Sequence, residues 1–140
     1  MKKISIILIA LLLALSCTFG VLYAIEKNDQ SELEQLCHNA AYESLKSFEQ
    51  FRESGEDFDY ISAVAEFNAY LKSYYILTEN KSGDYAALNS VYGYMILNPD
   101  KTKTCVDDII GALEYLSEDY DDMNGINLMY NVRNQLKYND

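Results

Sequence analysis

Cys37 and Cys105 are the cysteines outside the apolar N-terminal segment, and their thiols could form a disulfide. Two thiols in one small domain often pair when the compartment is oxidising. A disulfide between them would close a loop of about 68 residues and stabilise the fold by about 4 kcal/mol in the chain-entropy model. Two buried free thiols explain the same residues equally well. The sequence thus leaves both alternatives open, and the lack of a C-x-x-C pair argues against redox activity.

His38 is the chain's single histidine and follows a cysteine directly. On a helix the two neighbouring side chains point about 100° apart, so they cannot easily share a metal ion. The acidic run 118–122 with Gly125 invites comparison with a calcium loop. With Gly125 as the sixth position, however, Tyr120 and Asn131 occupy the places where an EF-hand needs Asp and Glu. An acidic helix N-terminus explains the run, and we predict no metal-binding residue.

Catalytic signatures are missing from the sequence, which has no G-x-S-x-G, P-loop, G-x-G-x-x-G or H-E-x-x-H pattern. Carboxylates are numerous, but a glycosidase needs two of them across a cleft, which a small helical bundle rarely provides. We therefore predict no catalytic residue, no cofactor and a protein that is not an enzyme.

Thirteen tyrosines and no tryptophan give the chain an unusual aromatic content. Tyrosine often replaces phenylalanine and tryptophan in a small helical core, and we expect that role for most of them. Tyr74, Tyr75, Tyr92 and Tyr94 are the residues around which we expect an apolar surface patch that contacts a protein partner.

Lys2 and Lys3 precede an uncharged run, residues 4–25, that is as long as a membrane helix. At 1.5 Å per residue this run spans roughly 30 Å, the thickness of a bilayer core, and exceeds a normal signal-peptide h-region. The two lysines place the N-terminus in the cytoplasm and the C-terminal domain outside the plasma membrane, in a bacterial setting.

Three fates of residues 4–25 fit this pattern. An uncleaved anchor best explains the apolar length. Cleavage after Gly20 or Ala24 would release a secreted domain. Acylation of Cys17 would make a lipoprotein, although the lipobox is imperfect because Leu15 lies two residues before the cysteine instead of three.

The portion after residue 25 is strongly acidic, with 22 acidic against nine basic residues. This charge repels phosphate backbones, so we expect no nucleic-acid partner. About 115 residues suffice for one domain and are too few for two. We assign residues 1–25 to the targeting segment, 26–30 to a short polar tether and 31–140 to the extracytoplasmic domain.

Helical periodicity and capping signals run through the whole domain. Ser31 and Glu34 have the spacing of a capping box, Gly55 suits a left-handed helix end, and Pro99 suits a first helical position. In the second helix we expect a buried stripe of Phe58, Ile61, Val64, Phe67 (or Ala65 and Asn68), Leu71, Tyr74 and Leu77. The predicted helices cover approximately residues 31–54, 56–77, 84–96, 99–117 (or from 104) and 122–138.

The predicted fold class is all-α. An N-terminal membrane-spanning or signal helix precedes a compact bundle of four to five helices, in which a long hairpin packs against two or three shorter helices. We expect a non-enzymatic protein-interaction module, bound to the membrane through residues 4–25 and to another envelope protein. A self-associating structural protein is one alternative, and a secreted or lipid-anchored domain that binds a small ligand is another. The sequence does not decide the oligomeric state.

Overall fold

The computed structural model describes residues 29–78 and 83–138, and within these ranges the chain forms six helices and no strand. The all-α prediction is therefore confirmed, with one helix more than expected. We number the helices α1 to α6 in chain order. They cover residues 29–54 (the described part of α1), Asp57–Thr78 (α2), Gly83–Leu97 (α3), Pro99–Lys103 (α4), Val106–Glu118 (α5) and Met123–Tyr138 (α6).

Residue contacts divide the chain into two units, Met1–Glu32 and Leu33–Asp140. The predicted membrane segment 4–25, which includes Cys17, and residues 26–28 of the predicted tether 26–30 lie outside the described residues. Among the residues that the structure describes, no helix is both long and apolar enough to cross a membrane. The packing described below belongs to the second unit.

The first helix differs from its predicted start, because residues 29 and 30 are already helical and Ser31 is therefore not an N-cap. Its end agrees with the prediction. Gly55 adopts a φ of 68°, and its amide donates to the carbonyl oxygen of Phe51 at 2.8 Å. A left-handed glycine at this place closes the last turn at no steric cost, so the chain can reverse into α2.

α1 and α2 form the predicted antiparallel hairpin. Near the turn, Tyr60 packs edge-on against Phe48 and Phe51, with ring centroids 6.4 and 5.2 Å apart. Such edge-to-face pairs add about 0.5–1.5 kcal/mol each to the burial of the rings. Further from the turn, burial raises the pKa of Tyr70 and the thiol of Cys37 raises it further, which places Cys37 of α1 near Tyr70 of α2.

The predicted fourth helix is divided into α4 and α5 by a turn at Thr104 and Cys105. The amides of these two residues donate to the carbonyl oxygens of Lys101 and Thr102, so each bond spans three residues instead of four. The tighter turn redirects the chain, and α5 begins at Val106 with a buried face of its own. The alternative start near residue 104 was thus the better prediction for this helix.

α5 and α6 are in close contact at Gly125. A Cβ placed on this glycine would lie 2.7 Å from Cγ of Leu116 and 2.9 Å from the carbonyl oxygen of Ala112. α6 also packs against α3, which in turn contacts α2 and α4. The absence of a side chain at Gly125 therefore sets the spacing of the α5–α6 pair.

The core of this unit contains tyrosines as well as aliphatic residues. Tyr60, Tyr70 and Tyr74 are buried. A buried phenol needs a hydrogen-bond partner, and the hydroxyl of Tyr70 donates to the carbonyl oxygen of Tyr120 at 2.7 Å. The predicted use of tyrosine as a core residue is confirmed for these three.

Candidate functional site

A groove opens where the N-terminal half of α2 meets the C-terminal end of α3 and the short helix α4. It has a volume of about 480 Å³ and is mainly apolar, and we call it the α2–α3 groove. Its lining residues are Asp57, Tyr60, Ile61, Val64, Met95, Ile96, Pro99, Asp100 and Lys103.

The floor of the groove is fixed by a bond between α2 and α3. The hydroxyl of Tyr60 donates to the carbonyl oxygen of Met95 at 3.0 Å. Burial raises the pKa of Tyr60 to about 12, so the phenol stays protonated and keeps donating at physiological pH. This polar group is already satisfied within the fold, and it leaves an apolar floor for a ligand.

The rim of the groove is closed by Lys103 of α4. Its Nζ lies 2.6 Å from Oδ1 of Asp57, 5.1 Å from the ring centre of Tyr60 and 5.8 Å from that of Phe51. The hydrogen bond and charge of Lys103 lower the pKa of the Asp57 carboxyl. Because Asp57 is exposed, the ion pair orients α4 more than it stabilises the fold.

Large apolar side chains that line the groove, or are close to its lining residues in sequence, face solvent. Phe58 is 79% exposed, Leu97 77%, Ile61 65% and Ile96 54%. Single exposed apolar residues are ordinary, but a cluster around a concave site is typical of a protein-binding surface.

The exposed side of α2 continues this apolar surface along the whole helix. We call Phe58, Ile61, Ala65, Ala69, Lys72 and Ile76 the α2 stripe; all six are exposed. At 3.6 residues per turn they fall within an arc of about 80°, opposite the buried face. The exposed residues of α2 include two charged ones, Asp57 and Lys72. The shorter helix α5 exposes four: Asp107, Asp108, Glu114 and Glu118.

The predicted buried stripe of α2 was wrong in its first members. Phe58 and Ile61 face solvent, while Tyr60 and Ala63, which the sequence did not select, are buried together with Phe67. Two apolar stripes offset by two residues run along this helix. The sequence did contain a sign of the second, exposed stripe, because apolar residues occur on nearly every side of α2. Such a distribution is unusual for a surface helix with a single core face.

The four tyrosines predicted to form a contact patch do not share a surface. Tyr74 is 2% exposed and belongs to the core, so it cannot contact a partner. Tyr75 is exposed and its ring lies 4.9 Å from that of Tyr85. Tyr92 and Tyr94 are half-buried and pack against the core. The apolar surface lies instead on the α2 stripe and the α2–α3 groove.

Cys37 and Cys105 are free thiols at opposite ends of α5. Burial raises the pKa of Cys37 to about 12, and the charge of Asp121 contributes to this increase. Cys37 therefore lies near Asp121, in the segment that follows α5. Cys105 precedes the helix, and its Sγ donates to Oε1 of Gln135 at 3.4 Å. The 13 residues of α5 span about 20 Å, whereas a disulfide needs Cα atoms within about 7 Å. The disulfide alternative is therefore wrong for this fold.

The acidic run between α5 and α6 caps a helix. Oδ1 of Asp122 accepts the amides of Asn124 and Gly125 at 2.7 and 3.1 Å, as an N-cap does. Burial raises the pKa of Asp121, and a hydrogen bond and the charge of Asp119 raise it further. No cluster of three metal-ligating side chains occurs in residues 29–78 and 83–138, and His38 is exposed.

No protein-family model matches this sequence, and we find no similar curated protein and no similar solved structure.

Proposed function

We propose that this chain is a non-enzymatic protein-interaction module outside a bacterial plasma membrane, and that the α2–α3 groove together with the α2 stripe is its binding surface. The carrying observation is the exposure of Ile61 and Ile96, which line one apolar groove, and of Phe58 and Leu97, which are close to them in sequence. Exposing such an apolar cluster to water on an otherwise acidic domain is unfavourable unless another protein covers it.

The free energy of binding favours a partner that covers both the α2–α3 groove and the α2 stripe. Burying one Phe, Ile or Leu side chain contributes about 1.5–3 kcal/mol, so four of them contribute several kcal/mol. Association costs about 4–15 kcal/mol in lost translational and rotational freedom. The groove alone is thus too small for stable binding, and the α2 stripe supplies the additional apolar contact.

The polar groups of the groove support docking over small-molecule chemistry. The phenol of Tyr60 donates to a backbone carbonyl, and Lys103 is engaged by Asp57. A catalytic or small-ligand site needs polar groups that converge on a ligand and are free to bind it. Apart from Asp100, the other side chains that line the groove are apolar and suit an apolar protein surface.

Site-specific photo-crosslinking in intact cells tests this proposal. A benzoylphenylalanine at Ile96 should yield one discrete adduct whose second component is a polypeptide identified by peptide mass spectrometry. The same probe at Tyr115, which is exposed on α5, should yield none. The substitution Ile61→Asn should remove the Ile96 adduct without changing the melting temperature by more than a few degrees. No adduct at Ile96, or equal adducts at both positions, would contradict the proposal.

The location is part of the same proposal and rests on Lys2, Lys3 and the apolar residues 4–25. Intact mass after cell fractionation tests it. The full 140-residue chain in the membrane fraction supports an anchor, a shorter chain in the medium supports cleavage, and added lipid mass on Cys17 supports a lipoprotein. The full-length chain in the cytoplasmic fraction would overturn the location outside the membrane.

A further inference from the structure

We propose that the occupant of the α2 stripe is a second copy of this chain, with the two α2 helices packed antiparallel about a two-fold axis at the level of Ala65 and Ala69. This inference rests on the proposed function and names the partner of the same surface. A two-fold interface uses one patch on both subunits, so the patch must be complementary to itself.

The order of side-chain sizes along the α2 stripe has this self-complementarity. Large residues stand at its two ends, Phe58 and Ile61 at one and Ile76 at the other, and the small residues Ala65 and Ala69 stand in the middle. When Ala65 of one chain lies opposite Ala69 of the other, Phe58 lies opposite Ile76. Alanines at the crossing point allow two helix axes to approach to about 8 Å, while the larger side chains fill the space where the helices diverge.

The charges on α2 favour the antiparallel direction. In a parallel pair Lys72 of each chain would meet Lys72 of the other, which places like charges in an apolar contact. In the antiparallel pair Lys72 comes opposite Ser62 of the second copy, so the two lysines lie 10 residues, or about 15 Å, apart along the paired helices. The antiparallel register therefore avoids the repulsion between like charges and is complementary in size.

This packing also brings the end of one α2 to the groove of the other. Ile76 lies opposite Phe58, which is next to the groove residue Ile61. A 22-residue helix is about 33 Å long, and a contact about 10 Å wide covers roughly 330 Å² per chain, less than the roughly 800 Å² of a standard interface. The contact at each groove enlarges this area, and we expect a weak dimer that membrane attachment would favour by raising the local concentration.

Cysteine crosslinking of the purified full-length chain in a mild detergent tests the register. In a Cys17→Ala background, chains carrying Phe58→Cys are mixed with differently tagged chains carrying Ile76→Cys and treated with a short bis-maleimide. Cys37 and Cys105 are buried and remain as a background that should not react. We expect crosslinks between the two tags. Chains with either substitution alone should not crosslink, because like positions lie 18 residues, or about 27 Å, apart along the paired helices.

A matched pair of exposed positions away from α2 provides the control. Leu36→Cys mixed with Tyr115→Cys should give at least tenfold less product than the Phe58→Cys and Ile76→Cys mixture. Adding Ala65→Glu to both α2 variants should lower the yield at least tenfold, because it places two carboxylates at the crossing point. Its melting temperature should stay close to that of the parent, since Ala65 is exposed.

The outcomes separate this inference from the proposed function. Crosslinks from single variants would show a parallel pair and overturn the register, and a yield equal to that of the control pair would overturn the dimer. If the dimer fails while the probe at Ile96 captures a different protein, the interaction module stands with another partner. If both fail, the docking surface itself is wrong.

Discussion

Gly125 of α6 lies against Leu116 of α5 so closely that an added Cβ would stand 2.7 Å from Cγ of the leucine and 2.9 Å from the carbonyl oxygen of Ala112. The backbone oxygen cannot move without shifting α5. We therefore expect Gly125→Ala to destabilise the domain by about 1–3 kcal/mol, the usual cost of overpacking a core. Urea unfolding followed by circular dichroism measures this change.

Gly111 supplies the matched control for this prediction. It lies inside α5, and a Cβ there would meet no atom within 4 Å outside its own local backbone. Gly111→Ala should raise the free energy of unfolding by about 0.5–1 kcal/mol, because alanine loses less backbone entropy in a helix. Equal effects of the two substitutions would show that α5 and α6 are not in close contact at Gly125.

The thiols of Cys37 and Cys105 should both be free and protected in the folded protein. Burial raises the pKa of Cys37 to about 12, so at pH 8 almost none of it is the reactive thiolate. Brief treatment of the native protein with iodoacetamide should modify neither thiol, and the same treatment in urea without a reductant should modify both. An intact mass two units lower that shifts only after reduction would show that the two cysteines are bridged.

Local sequence patterns predicted three helix ends correctly because each of these ends depends on a few neighbouring residues. Gly55 takes the left-handed conformation that its type allows, and Asp122 caps α6 in the acidic run before that helix. Pro99 stands in the first turn of α4, where its missing amide costs nothing. These three residues act through their own backbone and nearest neighbours, so no tertiary information is needed to place them.

The faces of α2 could not be assigned in the same way. Apolar residues recur at helical spacing in two stripes of α2, one that begins at Phe58 and one that begins at Tyr60. Either stripe could face the core. The choice depends on the packing partners. The ring of Phe51 in α1 packs against the ring of Tyr60, and the carbonyl oxygen of Met95 in α3 accepts a hydrogen bond from the Tyr60 hydroxyl. The candidate site was missed for this reason, since its members Phe58 and Ile61 had been assigned to the core.

The distance between the two cysteines also could not be predicted from the sequence. Both thiols are on inner faces, as expected, but burial alone does not bring two residues together. Cys37 lies near the residues after α5, whereas Cys105 precedes that helix, so the length of α5 separates them. Only the order in which the helices pack shows this separation.

Asp121 should make the domain less stable as the pH rises through the acid range. Burial, and then the hydrogen bond and charge of Asp119, raise its pKa above the ordinary value of 3.8. A carboxyl whose folded pKa is raised favours the folded state when it is protonated. That contribution is fully present below pH 3.8 and is lost as the pH rises through the folded pKa. Asp121→Asn should therefore unfold at a higher urea concentration than the parent at pH 7, and the difference should shrink below pH 3.8.

Asp57 gives the control of opposite sign, because its ion pair with Lys103 lowers its pKa. Its contribution to stability is present above pH 3.8 and is lost as the pH falls through the lower folded pKa. Asp57→Asn should thus be the less stable variant at pH 7, by a small amount because the pair is exposed, and should approach the parent in strong acid. Both variants remove one negative charge from the same acidic domain, so a general charge effect would move their urea midpoints in the same direction. Opposite shifts at pH 7 would show that the local surroundings of each carboxyl decide its effect.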